Sequence, residues 1–466
     1  MQAPALAVAN PNQQERELIG YDWTYDINKD WSITNRFAFN NQQYRQFLNG
    51  ADSFDQATGL LMRNVWDAQV HTQTVAANLD LKGNFDLGPF NHAVLFGTDY
   101  FQLDKNIEAF FGDNPSIGPI NIYAPDYNGT YTPLPNNSFF PLREQWTGVY
   151  GQDVVSFAQD RIHLLFGGRY DWASYGTGFS TNSDAEALGP YDPATGIGFL
   201  RAHDQAFSPR LGASIQPVPW LTFYANYTKS FGVTNALPVP GQSLFPPEEA
   251  TQKEVGVKAE LIDKRLTATF AVYDIVKTNV VAALGGTPFS TPVGQVESKG
   301  VELDVTGRIN DNWSIIASYA YDDARIVNGQ GPSAQDIVNG TLFPPTNVVN
   351  ESGNRLQDVP YNAGSIWAKY DADGRWRGLS LGAGVVAVGD RQGDNQNSFI
   401  LPAYARVDAM IQYQFAPPPE TLFKRITLQL NVKNVFDTVY YQNSSTRLSI
   451  FPGAPRTFLA SIRAEL

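Results

Sequence analysis

The chain has 466 residues, with 33 Lys and Arg against 46 Asp and Glu, a net charge of −13 and no cysteine. The missing cysteines exclude a disulfide scaffold, a thiol nucleophile and cysteine-bound zinc; the acidic balance argues against a protein that neutralises nucleic-acid phosphates. Only 17% of residues are charged while 13% are aromatic, which is unlike an ordinary acidic soluble domain.

Residues Met1 to Asn10 carry neither the basic start nor the apolar run of a secretory leader. No stretch of about 18 apolar residues follows anywhere, so a membrane-spanning helix is not expected. Strands of alternating polarity are a different route across a membrane, because their hydropathy averages out.

The first expected strand is Glu17–Asp26, closed by the short turn Asn28-Lys29-Asp30 with Trp31 directly after it. Val75, Ala77, Leu79, Leu81, Phe85 and Leu87 alternate with Ala76, Asn78, Asp80, Lys82, Asn84 and Asp86. A period of two places these sets on opposite faces of one strand. Val255, Val257, Ala259 and Leu261 repeat the pattern, as do Ala405 to Phe415 and Phe458 to Leu466. Short turns recur at Gln159-Asp160, Pro217-Val218-Pro219, Asp263-Lys264 and Asn310-Asp311-Asn312. Between them lie long segments near 48–65, 104–140, 174–206, 232–251, 326–356 and 443–455, rich in Gly, Pro, Asn and Ser and read here as loops. Short turns on one side and long loops on the other are the asymmetry of a bacterial outer-membrane barrel. Trp31, Trp220 and Trp313 each follow a short turn and Trp376 sits in another connection, as an interfacial girdle requires.

The expected fold is therefore all-β, a transmembrane antiparallel β-barrel of about 17 strands ending with Arg456–Leu466. Residues 1–14 are expected to be an unstructured stub and 15–466 a barrel domain. An odd count cannot close by antiparallel neighbours alone, so at least one further strand is expected upstream, and the chain reads as a fragment.

Local motifs carry a family resemblance. Gly148-Val149-Tyr150-Gly151-Gln152-Asp153 and Phe166-Gly167-Gly168-Arg169-Tyr170-Asp171 resemble paired strands of TonB-dependent siderophore receptors. So do Phe207 to Gly212, Tyr224 to Phe231, Lys253 to Lys258, Lys299 to Leu303, Asn431 to Asp437 and Pro452 to Arg456, in the same order. The likeness covers 15–466 and is greatest to the ferrichrome and ferric hydroxamate branch. It implies a barrel of about 22 strands filled by an N-terminal plug. This chain would supply the C-terminal part, without plug or TonB box. It further implies an outer-membrane location, a ferric siderophore of hydroxamate type as cargo, the TonB-ExbB-ExbD complex as the energy-coupling partner, contact with outer-membrane lipid and a monomeric state. No cofactor is implied beyond ferric iron held in its chelate, and no nucleic acid. Where such receptors usually end in Phe, this chain has Leu466.

Siderophore receptors bind their cargo among aromatic side chains at the outer mouth, and exposed loop aromatics offer rigid contact area. Phe110 and Phe111 in Glu108-Ala109-Phe110-Phe111-Gly112, Phe451 in the last loop and Tyr44 with Phe47 in the first are the candidate ligand contacts. No catalytic residue is expected. The histidines His71, His92, His163 and His203 form no metalloprotease spacing, and His163 shares parity with Arg161 and Arg169 as a lumen residue. Gly382-Ala383-Gly384-Val385-Val386-Ala387 fits a dinucleotide pattern but sits inside an alternating strand. Asp371 to Gly374 lacks the continuation of a calcium loop. Two other classes stay open: a passive porin-like channel, and a surface protein that binds phage or bacteriocins.

Overall fold

Alternation of period two, sustained over long segments, gives the chain no helical stripe to bury; it gives strands with one apolar and one polar face. The computed structural model describes residues 13–113, 117–126, 132, 135, 138–239, 241–283, 289–332, 348–418 and 421–465. Its principal feature is a 19-stranded sheet. Two of these strands are the two-residue pieces Ile120–Asn121 and Leu237–Pro238. The others run in chain order as β1 (Gln14–Asp26), β2 (Trp31–Asp55), β3 (Leu60–Leu87), β4 (Phe90–Asp113), β5 (Ser138–Phe157) and β6 (Ile162–Phe179). Then come β7 (Gly198–Val218), β8 (Leu221–Gly232), β9 (Glu248–Leu261), β10 (Leu266–Ala283), β11 (Phe289–Arg308) and β12 (Trp313–Asn328). The series ends with β13 (Asn362–Asp371), β14 (Leu379–Val388), β15 (Tyr404–Phe415), β16 (Arg425–Lys433) and β17 (Thr457–Glu465). Each is antiparallel to the next. Among the described residues β1 pairs only with β2 and β17 only with β16, so the sheet has two free edges.

Contacts that skip a strand identify the concave face. Tyr150 on β5 donates to Asp80 on β3 at 2.5 Å, reaching over β4, and Arg169 on β6 reaches over β5 to Asp99 on β4. Register then assigns whole rows. Phe223, Val257, Phe270, Leu303 and Tyr319 are successive partners on the convex face. One residue along, Tyr224, Gly256, Ala271, Glu302 and Ala320 form the concave row. A single step thus exchanges hydrocarbon-facing for lumen-facing side chains.

The short turns have a repeated chemical cause. Asn28 accepts from the backbone N–H of Asp30 and Trp31 at 2.9 and 3.0 Å. Asn310 accepts from those of Asn312 and Trp313 at 3.0 and 2.8 Å. Each side chain closes an Asx turn that starts the next strand on tryptophan. The opposite end departs from expectation. Segment 48–65 is not a loop: β2 and β3 stay paired to Asp55 and Leu60, and only 56–59 turn. Asp55 closes that tip by accepting from the Ala57 N–H and the Thr58 hydroxyl. Likewise 443–455 contains a small hairpin, Tyr441–Thr446 against Ser449–Pro452. The polar composition that reads as loop marks strands standing in water on both faces. Gln14 already pairs with Tyr44, inside the segment expected to be a stub; residues 1–12 and Leu466 lie outside the described residues.

Phe270, 44% exposed on the convex face, should tolerate no charge. Phe270→Arg is expected to cost about 2–4 kcal/mol near the bilayer midplane. Thr269→Lys, one residue away on the lumen face, should be close to neutral; urea titration of the protein folded into lipid vesicles measures both.

Candidate functional site

A membrane-crossing strand needs only about 9–11 residues. β2, β3, β4 and β5 have 25, 28, 24 and 20, so they overshoot the bilayer at the end away from the short turns. On this overshoot the concave face changes from polar to apolar. Tyr44 stands opposite Val70, Val70 opposite Ile107 and Ile107 opposite Phe140, with Ala68 opposite Ala109 in the neighbouring row. Trp66 and Phe179 close the group, with ring centroids 5.8 and 5.4 Å from that of Phe140. The result is an aromatic and aliphatic socket inside the extracellular mouth. Leu237, from the connection between β8 and β9, is seated in it.

Below the socket the lumen is charged. Arg169 donates to both carboxylate oxygens of Asp99, at 2.5 and 2.7 Å, and to Asp171 at 2.6 Å. Arg36 donates to Asp80 at 3.1 Å. Asp80 and Asp171 are buried, and each has a guanidinium beside it. Arg36, Asp99 and Arg169 border a cavity of about 920 Å³ with Phe101 and Trp146. The facing arc, on β9 to β12, differs. Glu254 accepts from the amides of Asn226 and Gln252, and Asp322 accepts from the Ser298 hydroxyl. No lysine or arginine among the described residues pairs with Glu254, Glu302, Asp304 or Asp322. On one arc of the lumen the carboxylates lie against guanidiniums; on the other, amides and hydroxyls solvate them. Near the mouth, Lys105 lies opposite Thr72 and Leu142 on the concave face, with no carboxylate partner among the described residues.

The expected contact residues separate. Tyr44 is in the socket. Phe110 is buried on the other face with Val65, Ile117 and Phe47. Phe111 pairs with Trp66 in the backbone register, but its side chain lies outside the described residues. Phe451 is 51% exposed on the last hairpin. Trp66, Phe140, Phe179 and Leu237 were not foreseen. The signal for Trp66 was available, because Trp66, Ala68 and Val70 continue the even-numbered, lumen-facing set of Ala76, Asn78 and Asp80. His163 faces the lumen and bonds the Ser156 hydroxyl at 2.7 Å. Among the described residues no three His, Asp or Glu side chains converge as metal ligands.

A second cluster locks three extracellular connections together. Arg391, 4% exposed, donates to the carbonyls of Tyr441 and Gln442 at 2.6 Å each. Asp358 accepts from the Ser444 N–H at 3.1 Å, and Glu351, 3% exposed, accepts from Gln396 at 3.0 Å. Burial pushes the Glu351 carboxyl above its usual range, against the Gln396 hydrogen bond and with help from Asp394. Burial also raises Asp358, opposed by the Ser444 N–H, Gln357 and Arg391.

Residues 4–435 match the family described as TonB dependent receptor-like, beta-barrel. The ferrichrome outer membrane transporter/phage receptor of Escherichia coli K12 is 27% identical over 97% of this chain and 58% of its own length. The metal-pseudopaline receptor CntO of Pseudomonas aeruginosa PAO1 is 30% identical over 82% and 50%. The ferrioxamine B receptor of Salmonella typhimurium LT2 is 26% identical over 96% and 58%. Among solved structures, the siderophore receptor PiuA from Acinetobacter baumannii superposes with a TM-score of 0.79 at 21% identity, covering 97% of this chain and 64% of that one. The ferric-catecholate import receptor Fiu from E. coli K12, in its closed form, gives 0.75 at 21%, covering 97% and 64%. The chain spans little more than half the length of the curated relatives it matches.

A carboxyl raised by folding destabilises the fold once it ionises, so the penalty from Glu351 and Asp358 is present at neutral pH and is relieved as pH falls. Proteolysis of segment 351–358 on intact cells should therefore be slower at pH 5 than at pH 7.5, and Glu351→Gln should flatten the difference.

Proposed function

Since this chain belongs to the TonB-dependent receptor family of outer-membrane β-barrels, we propose that it forms the wall and outer mouth of a receptor for ferric siderophores. The observation that supports this reading most is the aromatic socket opening onto a polar lumen. An iron chelate is compact and carries apolar or aryl arms around a polar core, and the socket offers the first while the lumen accepts the second. Ferric iron enters as cargo inside its chelate, and the chemistry is capture and passage with no bond made or broken. Tyr44 with Trp66 and Phe140 are the ligand contacts in this reading. Phe111, Trp66's partner in register, and the exposed Phe451 are further contacts, while Phe110 braces the wall from its other face. The ferrichrome and ferrioxamine relatives favour a hydroxamate chelate. The TonB-ExbB-ExbD complex would supply the energy, acting on a plug domain of the kind the family carries. Glu254 and Glu302 would then face that plug and favour basic groups on it.

Two measurements test the reading. Cells dependent on this protein for ferric-hydroxamate growth should lose it when TonB is deleted; undiminished uptake would instead favour passive diffusion. In the intact receptor, Tyr44→Ala and Trp66→Ala should each weaken chelate binding about tenfold, equivalent to about 1.4 kcal/mol, with the amount in the outer membrane unchanged. Lys105→Met should weaken anionic ferric chelates more than neutral ones, since it removes a concave-face cation two residues from Ile107 of the socket.

A further inference from the structure

Residues 233–239 and 241–247 do not lie outside the sheet as a surface loop ordinarily does. They leave β8, cross the mouth and return to β9. On one side Leu237 and Pro238 pair, in parallel, with Phe289 and Ser290 at the start of β11. On the other, the Leu237 side chain, 9% exposed, is packed among Ala68, Val70, Ala109 and Phe140 of β3, β4 and β5. Asn235 donates to Glu144 on β5 at 3.0 Å. Farther along, the carbonyl of buried Phe245 accepts from the Tyr175 hydroxyl of β6 at 3.3 Å. The segment is therefore a strap joining arcs of the sheet six or more strands apart.

Its construction suits release as a unit. Pro238, Pro246 and Pro247 preset the backbone and limit the freedom gained on unseating. Gly241, at φ 84°, supplies a left-handed bend that other residues rarely adopt. Across the mouth it is held by the buried side chains of Leu237 and Phe245 and a few neutral or single-charge hydrogen bonds, with no ion pair. Leu237 also occupies the volume that the aromatic residues would offer a ligand.

We propose that the strap formed by residues 233–239 and 241–247 is an internal occupant of the ligand seat: Leu237 closes the mouth in the unliganded receptor, and an arriving chelate takes its place. This rests on the ligand-binding reading above for the exchange step, but not for the closed state. The absence of cysteine makes the test direct. In intact cells, Leu237→Cys should react with a membrane-impermeant maleimide at least tenfold more slowly than Tyr123→Cys, an exposed site in another connection; comparable rates would overturn the closed state. Adding a ferric trihydroxamate at concentrations that quench tryptophan fluorescence should accelerate labelling of the Leu237→Cys variant several-fold. Quenching without acceleration would overturn the exchange. If no ferric chelate binds at all, the receptor reading fails and exchange with it, while the labelling rates without ligand still decide whether the strap is a seal.

Discussion

Within hydrocarbon every backbone N–H and C=O must find a partner inside the protein, and the rest of this structure follows from that requirement. Strands satisfy it only when each pairs on both sides, which is why the long strands pair in unbroken chain order from β1 to β17. The same requirement makes the outer edges of β1 and β17 costly in a bilayer, since each is unpaired among the described residues. It also explains the alternation of side chains: the strand has no choice but to show one face to lipid and one to the lumen. The aromatic rows such as Phe223 to Tyr319 are the lipid-side consequence.

The lumen, freed from the demand for hydrophobicity, can hold charge. It holds it unevenly. Around Arg169 and Arg36 the carboxylates of Asp99, Asp171 and Asp80 each lie against a guanidinium, so their charge is offset locally. Around Glu254 and Glu302 amides and hydroxyls solvate the charge without cancelling it. A matched arc serves as wall; an unmatched arc exerts a field on whatever occupies the lumen.

Much of this was legible from residue order. Parity placed Leu79, Val255 and Ile411 on one face and Asp80 and Glu254 on the other, and the Asn-x-x-Trp turns announced the strand starts. The candidate site was less legible. Composition marks a segment as polar, and polar segments serve equally as loops or as strands wetted on both faces. For that reason 48–65 reads as loop, Trp66 just beyond it is passed over although it continues the lumen-facing parity, and Phe110 looks like a contact although the period of two turns it to the other face. Leu237 left no signal, because its burial depends on strands far from it in the sequence.

The location of the socket follows from strand length. A wall that ends at the membrane surface can present only its rim, whereas β2 to β5 rise well beyond it while staying paired. Outside the bilayer the convex face no longer meets lipid and becomes polar or packs locally, as Arg45 does in donating to both oxygens of Asp67. The concave face, released from the ion pairs below, can then be apolar without facing lipid. An apolar concavity in water would recruit any hydrophobic group, and Leu237 is the group the chain itself provides. Socket and strap are therefore two parts of one solution: strands long enough to build an apolar seat above the membrane need something to cover it.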